Sequence, residues 1–402
     1  MAKVVGKSAV YLAGEIVSKA VPFAMLPYLT RVLGVEGFGE LAYLLMLFSL
    51  FYVFISISQD GALARYYFRY GGRGTICVSI AGCCYSLVVG CLMTVFFIFI
   101  GKVEYIGAVV MAVTQSILAL VLSYYQCRER PLYYVMIQVA CSVLISLATF
   151  LVFYFLVATP LARIIIICLC NVITLFMVYL YLSNKNLFDK YSVRGFRLGL
   201  KYVLWYGVPL IIHQLSFFGK GQFDRFVVQN AFSLTELGVY SAAFQLASIL
   251  TVLLYAANKA IVPAYYRALK KSRIGGREVL KFAAISILLC PIPAGLAFAF
   301  PESIYSFVLG EGYAGVRYFV VFFLLGLMLH LPYQILANYL FYFGLNKRVA
   351  LCTLTSGIVH VLCLYYVASL GDLKLLPIAL LLSNAVSVGL LLLVVAYGNQ
   401  ES

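Results

Sequence analysis

Charged and imidazole side chains recur inside apolar runs of this chain, and their spacing defines what they could do together. Glu15 and Lys19 stand four residues apart, on one face of a helix. They form either an ion pair that locks a bundle, or a carboxylate able to carry a proton or cation beside an ammonium facing a watery cleft. Lys19 falls about 16 Å along that helix, near the midplane of a membrane. His213, Ser216, Lys220 and Asp224 follow at steps of three, four and four, which predicts a single polar stripe. Ser241, Gln245, Ser248, Thr251, Tyr255 and Lys259 make a second stripe, and His330, Gln334 and Asn338 share a third face. Lys220 and Lys259 either face a cavity or snorkel to an interface. A milder stripe of Ser49, Tyr52, Ser56 and Gln59 is closed by Asp60, with Arg65 expected as its partner. The cations Lys19, Arg31, Lys220, Arg225 and Lys259, with His213, His330 and Gln245, suit an anionic ligand, and Glu15, Asp60 and Asp224 suit a coupling ion.

Other chemistries find no support. The chain contains no phosphate-cradling Gly-rich loop followed by Lys-Ser/Thr, and no nucleophile elbow. The segments between apolar runs are too short to hold the paired carboxylates of a glycosyltransferase or polymerase domain. The 11 cysteines sit almost entirely in apolar runs without a C-x-x-C pair, and read as small packing residues. No metal or other cofactor is expected, and the reading is of a transporter rather than an enzyme.

The elements that must position these residues are membrane helices. Of 402 residues, 64% are hydrophobic and 11% charged, with a mean hydropathy of +1.02. About twelve apolar runs of spanning length are expected, near 8–30, 38–59, 75–100, 103–126, 132–157, 164–183, 202–222, 238–262, 280–300, 317–342, 349–369 and 375–397. The first carries no small-residue cleavage site and reads as a retained span. The net charge of +15 is mostly topology rather than a nucleic-acid surface: with the N terminus in the cytoplasm, 20 of the 29 Lys and Arg fall in inside segments, and Arg31, Lys102, Arg163, Arg225, Arg317 and Lys374 fall outside. Both termini are therefore expected to be cytoplasmic.

The basic stretch NKNLFDKYSVRGFRLGLKY divides the chain into a half at 1–183, a cytoplasmic connection at 184–201 and a half at 202–402. FGELAY from Phe38 matches LGVYSA from Leu237, and ILALVLSYYQCRER from Ile117 matches ILANYLFYFGLNKR from Ile335. Six spans per half keep the same orientation in the bilayer, so the expected fold is an all-α membrane protein of two six-helix bundles around a central cleft.

Two stretches carry a resemblance. PYLTRVLGVEGFGELAY, from Pro27, resembles the signature of bacterial O-antigen flippases of the Wzx type, in the polysaccharide transporter branch of the superfamily that includes multidrug and toxin extrusion proteins. FDRFVVQNAFSLTELGVYSAAFQL, from Phe223, is similar to that family's seventh-to-eighth span junction, with Asp224, Arg225, Gly238 and Tyr240 in place. The resemblance implies movement of undecaprenyl-pyrophosphate-linked oligosaccharide across the bacterial inner membrane by alternating access, as a multi-pass protein of O-antigen or other surface-polysaccharide biosynthesis. Partners would be that lipid-linked cargo, membrane lipids, a polysaccharide polymerase and chain-length regulator, and H+ or Na+. The glycines Gly34, Gly37 and Gly39 would bend the turn between the first two spans, with Arg31 at the outer interface. A drug or cation antiporter, favouring carboxylates in the cleft, and a peptidoglycan-precursor flippase are the alternatives; cations outnumber carboxylates among the candidate cleft residues.

Overall fold

Apolar runs that cross a membrane fold as helices because each backbone N–H and C=O must find its partner within the segment. The computed structural model describes residues 2–72, 74–183 and 192–398. Arg73, Lys185, Lys190 and most of the expected cytoplasmic connection lie outside the described residues, as do the side chains of Lys3, Lys7, Ser8 and Tyr11. Among the described residues the α-helices are α1 (Ala2–Ala24), α2 (Leu26–Ser56), α3 (Gln59–Tyr70), α4 (Thr75–Phe99), α5 (Ile106–Cys127), α6 (Pro131–Phe155), α7 (Pro160–Ser183), α8 (Val193–Gly221) and α9 (Phe223–Ala231). They continue with α10 (Leu234–Lys270), α11 (Gly276–Leu289), α12 (Pro291–Ala299), α13 (Glu302–Leu309), α14 (Val316–Met328), α15 (His330–Tyr342), α16 (Asn346–Ser369) and α17 (Leu376–Gly398). Among the described residues, ten stretches are long and apolar enough to span. The remaining two spans expected from the sequence overlap α1 and α8, helices of 23 and 29 residues that carry Glu15 with Lys19 and His213 with Lys220.

The helices group into two compact units, one of residues 1–25 and 40–218, the other of 26–39 and 219–402. In the first, α1 packs on α6, and α5 is central, touching α3, α4, α6 and α7. In the second, α14 and α17 are central: α10, α12 and α17 pack on α14, while α15 and α16 pack on α17.

Leu26–Tyr70 reads as one 45-residue apolar stretch. A straight helix of that length would run ~67 Å, more than twice a hydrocarbon core of ~30 Å. Two breaks divide it. At Gly34 the backbone takes φ 68° and ψ −178°, a conformation open essentially to glycine alone. Residues on either side are helical, so the expected three-glycine turn is a one-residue break and Gly37 stays within a helix. The break leaves carbonyls without their usual helical donors, and the buried Tyr313 hydroxyl takes two of them, donating toward Gly34 O at 3.2 Å and Thr30 O at 3.4 Å.

Gly39 serves a different end. A Cβ there would collide with the Leu234 carbonyl and come within 2.9 Å of the Gly238 nitrogen, while a Cβ on Gly238 would collide with the Val35 carbonyl. The matched positions of FGELAY and LGVYSA thus meet backbone to backbone, an approach only residues without side chains permit.

The second break puts Ile57 and Ser58 in the left-handed region, at φ 45° and 53°. Neither is glycine, so surrounding structure must hold them. Gln214 of α8 donates to the Ser58 hydroxyl, and Gly207 lies against the Ile57 carbonyl so closely that a Cβ would clash. Freed carbonyls are taken by side chains: Ser86 donates to Ile55 O at 2.9 Å and Tyr85 to Phe54 O at 3.0 Å.

Candidate functional site

In the first unit, Glu15 and Lys19 form the ion pair their spacing predicts, at 3.1 Å, with the side chains 30% and 49% exposed. Both charges stay partly accessible, on the helix that packs against α6. Asp60 and Arg65 do not pair. Asp60 sits in the first turn of α3, where the helix dipole favours a carboxylate. Arg65 instead lies over Trp205 at 5.3 Å and Tyr206 at 5.6 Å, because α8 presents an aromatic surface alongside α3. His213 is exposed on α8, its ring edge-on to Phe217.

The expected stripe through His213, Ser216, Lys220 and Asp224 does not run as one face. α8 ends at Gly221, Gln222 is non-helical, and Asp224 opens α9 on a new axis. Re-aimed in this way, Asp224 is 5% exposed and fully engaged. Its Oδ1 accepts from the Arg225 amide at 2.9 Å and from the Arg225 guanidinium at 3.1 Å, and its Oδ2 accepts from the Tyr240 hydroxyl at 2.9 Å. Arg225 also donates to Gly221 O at 3.1 Å and lies 4.8 Å over the Phe244 ring. This buried knot fastens the α8–α9 break to α10, and it leaves neither charge open to a ligand.

Arg31 is likewise committed. Its guanidinium donates to the Phe307 carbonyl in the last turn of α13 and lies 5.7 Å from the Phe307 ring centre. A cation there complements the negative end of that helix. Gln245 is half-buried on α10, with Ser248 donating to its carbonyl at 2.7 Å, and Lys259 is exposed near the other end of the same helix.

Lys220 differs from all of these. Half-buried in the last turn of α8, it donates to the Ser356 hydroxyl at 2.8 Å, and no carboxylate among the described residues lies within 4.0 Å of its ammonium. Ser356 donates onward to Ser383 O at 2.6 Å. The Ser383 hydroxyl in turn meets His360 Nδ1 at 3.3 Å. His360 is 2% exposed, and its Nε2 is buried without a hydrogen-bond partner among the described residues. His330 opens α15, with Nδ1 3.1 Å from Leu327 O and its ring edge-on to Tyr255. One ammonium bound to a neutral hydroxyl can neutralise an anion, whereas the serines give it no proton path to His360, because Ser356 donates to the Ser383 backbone carbonyl and not to its hydroxyl. Ser356 and Ser383 were not among the residues singled out from the sequence. The i, i+4 placement of Ser356 and His360 was the visible signal; the Ser383 link joins two helices and has no linear trace.

Residues 4–269 match the model of the family described as polysaccharide biosynthesis protein. "Lsg locus putative protein 1" of Haemophilus influenzae is 36% identical over 398 residues, covering 96% of this chain and 99% of the relative. A second Haemophilus influenzae protein, described as an uncharacterized membrane protein, is 35% identical over 92% of this chain and 95% of its own. Among solved structures, an inward-facing multidrug resistance transporter of the MATE family, in the MOP superfamily, superposes with a TM-score of 0.65 at 17% identity, covering 95% of this chain and 97% of the other. A MOP-superfamily transporter from Pyrococcus furiosus, described as having a binding pocket of reverse polarity, gives 0.54 at 18% identity, covering 98% and 94%. These structures share the all-α membrane fold. Matched to the family model over more than half its length and to relatives above 30% identity along nearly all of it, the chain belongs to the polysaccharide biosynthesis protein family.

Proposed function

We propose that this protein is a flippase that carries undecaprenyl-pyrophosphate-linked oligosaccharide, an O-antigen or similar surface-polysaccharide unit, from the cytoplasmic to the extracytoplasmic leaflet of a bacterial inner membrane. The observation that carries the reading is Lys220, an ammonium in a membrane unit whose hydrogen-bond partner is a neutral serine. A pyrophosphate entering a low-dielectric site loses hydration, and a cation not already neutralised by a carboxylate offsets that cost. The family supports a polysaccharide substrate class, and the fold supports a transporter. The Pyrococcus furiosus transporter, whose reverse pocket polarity is described as suggesting a different function, is a precedent within the fold for pocket charge varying with function.

An extrusion-type antiporter for drug cations needs a carboxylate free to exchange its partner. Asp224 is instead held by Arg225 and Tyr240, which leaves Glu15, partly exposed beside Lys19, and Asp60 as the candidate carboxylates open to a coupling ion. No nucleotide-binding loop is present, so direction would come from an H+ or Na+ gradient, or from a polymerase that consumes the delivered units. Deletion of the gene, with lipid-linked units assayed on each leaflet, tests the reading. Loss of surface polysaccharide with units trapped in the inner leaflet supports it. Intact polysaccharide with arrested cell-wall synthesis would identify a peptidoglycan-precursor flippase instead.

A further inference from the structure

Arg65 and Arg69 stand one turn apart on α3, a spacing that brings their Cβ atoms within about 6 Å on one face. Both lie on aromatic rings of the first unit instead of on acids. Arg65, half-buried, has Trp205 at 5.3 Å and Tyr206 at 5.6 Å, and the exposed Arg69 has Tyr70 at 5.4 Å. The rings are joined to one another: Tyr66 and Tyr70 of α3 each pack edge-on against Tyr202 of α8, at 5.3 Å and 6.0 Å. The two helices therefore share an aromatic seam with two guanidiniums laid on it.

No carboxylate among the described residues lies within 4.0 Å of either guanidinium. Asp60, the one acid of α3, sits in its first turn, and α8 carries Arg194, Arg197 and Lys201 near its start with no Asp or Glu along its length. Membrane topology asks only for positive charge at such an end, which lysine supplies as well as arginine. It does not ask for a guanidinium stacked on a ring. Stacking orders the side chain and occupies its face, leaving the N–H edge for an oxyanion. Two such edges one turn apart suit a tetrahedral anion that can accept from both.

We infer that Arg65 and Arg69 form a site for an anionic phosphate group. The surroundings favour a lipid headgroup as its bearer. Phe68, Tyr70 and Trp205 are 72%, 55% and 65% exposed around the two cations, and exposed Trp and Tyr beside Arg are the side chains that settle at headgroup level. A free phosphate ion is the other source of the same chemistry. Bound here, the phosphate would hold both arginines on the seam and so brace α3 against α8, just past the left-handed break at Ile57 and Ser58. The site lies wholly within the first unit and needs no cargo to form.

Trp205 is the sole tryptophan of the chain, so its emission reports on this seam alone. The test is quenching of Trp205 in the full-length protein, reconstituted in phosphatidylcholine vesicles that contain acyl-brominated phosphatidylglycerol or, separately, acyl-brominated phosphatidylcholine. The brominated phosphatidylglycerol is expected to reach half-maximal quenching at a roughly tenfold lower mole fraction. Arg65→Ala and Arg69→Ala should each erase most of that preference, and Arg65→Lys should keep part of it, since lysine retains the charge without the fork. Arg69→Ala leaves Arg65 on Trp205 and decides the matter if Arg65→Ala impairs folding. Lys270→Ala, which removes an exposed cation from the other unit, should keep the preference. In a second arm, inorganic phosphate is titrated onto the protein in dodecylmaltoside, against sodium chloride at equal ionic strength. A saturable change in Trp205 emission that both alanine variants lose, without a preference between the two lipids, would support the phosphate site and make free phosphate its source. Equal quenching by the two lipids with no response to phosphate would overturn the site, as would a lipid preference that survives with both arginines replaced by alanine.

Discussion

Asp224 shows how far a residue's role depends on the backbone that aims it. As the fourth member of a stripe it resembles a coupling carboxylate, but one non-helical residue, Gln222, turns it into the centre of a buried knot. Tyr240→Phe removes one bond to a charged acceptor and is expected to cost about 1.5–3 kcal/mol. Asp224→Ala strands the buried Arg225 and is expected to cost about 3–5 kcal/mol. Thermal unfolding in detergent should rank the two in that order, and an Asp224→Ala protein that melts like the parent would remove the structural reading. The residue types were legible here; the bonding was not, because it arises from a helix break with no clear sequence marker. Glu15 is the reverse case. Its pairing with Lys19 follows directly from i, i+4 spacing, and its partial exposure keeps it eligible as the coupling group. Glu15→Gln is expected to leave cargo binding intact while making flipping in proteoliposomes insensitive to an imposed pH or sodium gradient; a variant that still responds to the gradient places coupling elsewhere.

At the scale of elements, the glycine-marked stretch after Pro27 holds two devices that look alike in sequence. Gly34 is needed for its dihedral angles, Gly39 for the absence of a side chain. The repeat between FGELAY and LGVYSA was visible, yet that its two glycines touch follows only from packing. Gly39→Ala and Gly238→Ala drive a methyl group into backbone, which cannot yield as a side chain tip does. Each should lower the melting temperature and expose the region to protease, whereas Gly357→Ala, in helical backbone with open space at its Cβ, should be tolerated. Tyr313→Phe is expected to be milder than either. It removes the donor from the Thr30 and Gly34 carbonyls but keeps the ring against Phe38, at a cost of about 1–3 kcal/mol. Equal stability of Gly357→Ala and Gly39→Ala, measured side by side, would contradict the crossing.

For the whole molecule, hydropathy and charge asymmetry carried the fold class, because backbone satisfaction in lipid leaves helices as the main choice. Orientation is an expectation that labelling can check. In a cysteine-free background, Ser192→Cys should be protected from an impermeant maleimide in intact cells and Lys374→Cys should react; the opposite pattern inverts the topology. What the sequence could not convey is which of its many intramembrane cations remain available, since that depends on partners drawn from distant helices. Arg31 is taken by Phe307, Arg225 by Asp224 and Lys19 by Glu15, whereas Lys220 rests on the neutral Ser356 and is the cation on which we expect an anionic cargo to depend most. The direct measurement is flipping of a fluorescent undecaprenyl-pyrophosphate-linked oligosaccharide in proteoliposomes, comparing the parent with Lys220→Ala and Lys220→Arg at equal reconstitution. The expected result is a loss of roughly tenfold or more for alanine, with substantial activity kept by arginine. Flipping by Lys220→Ala at the parent rate would contradict the account.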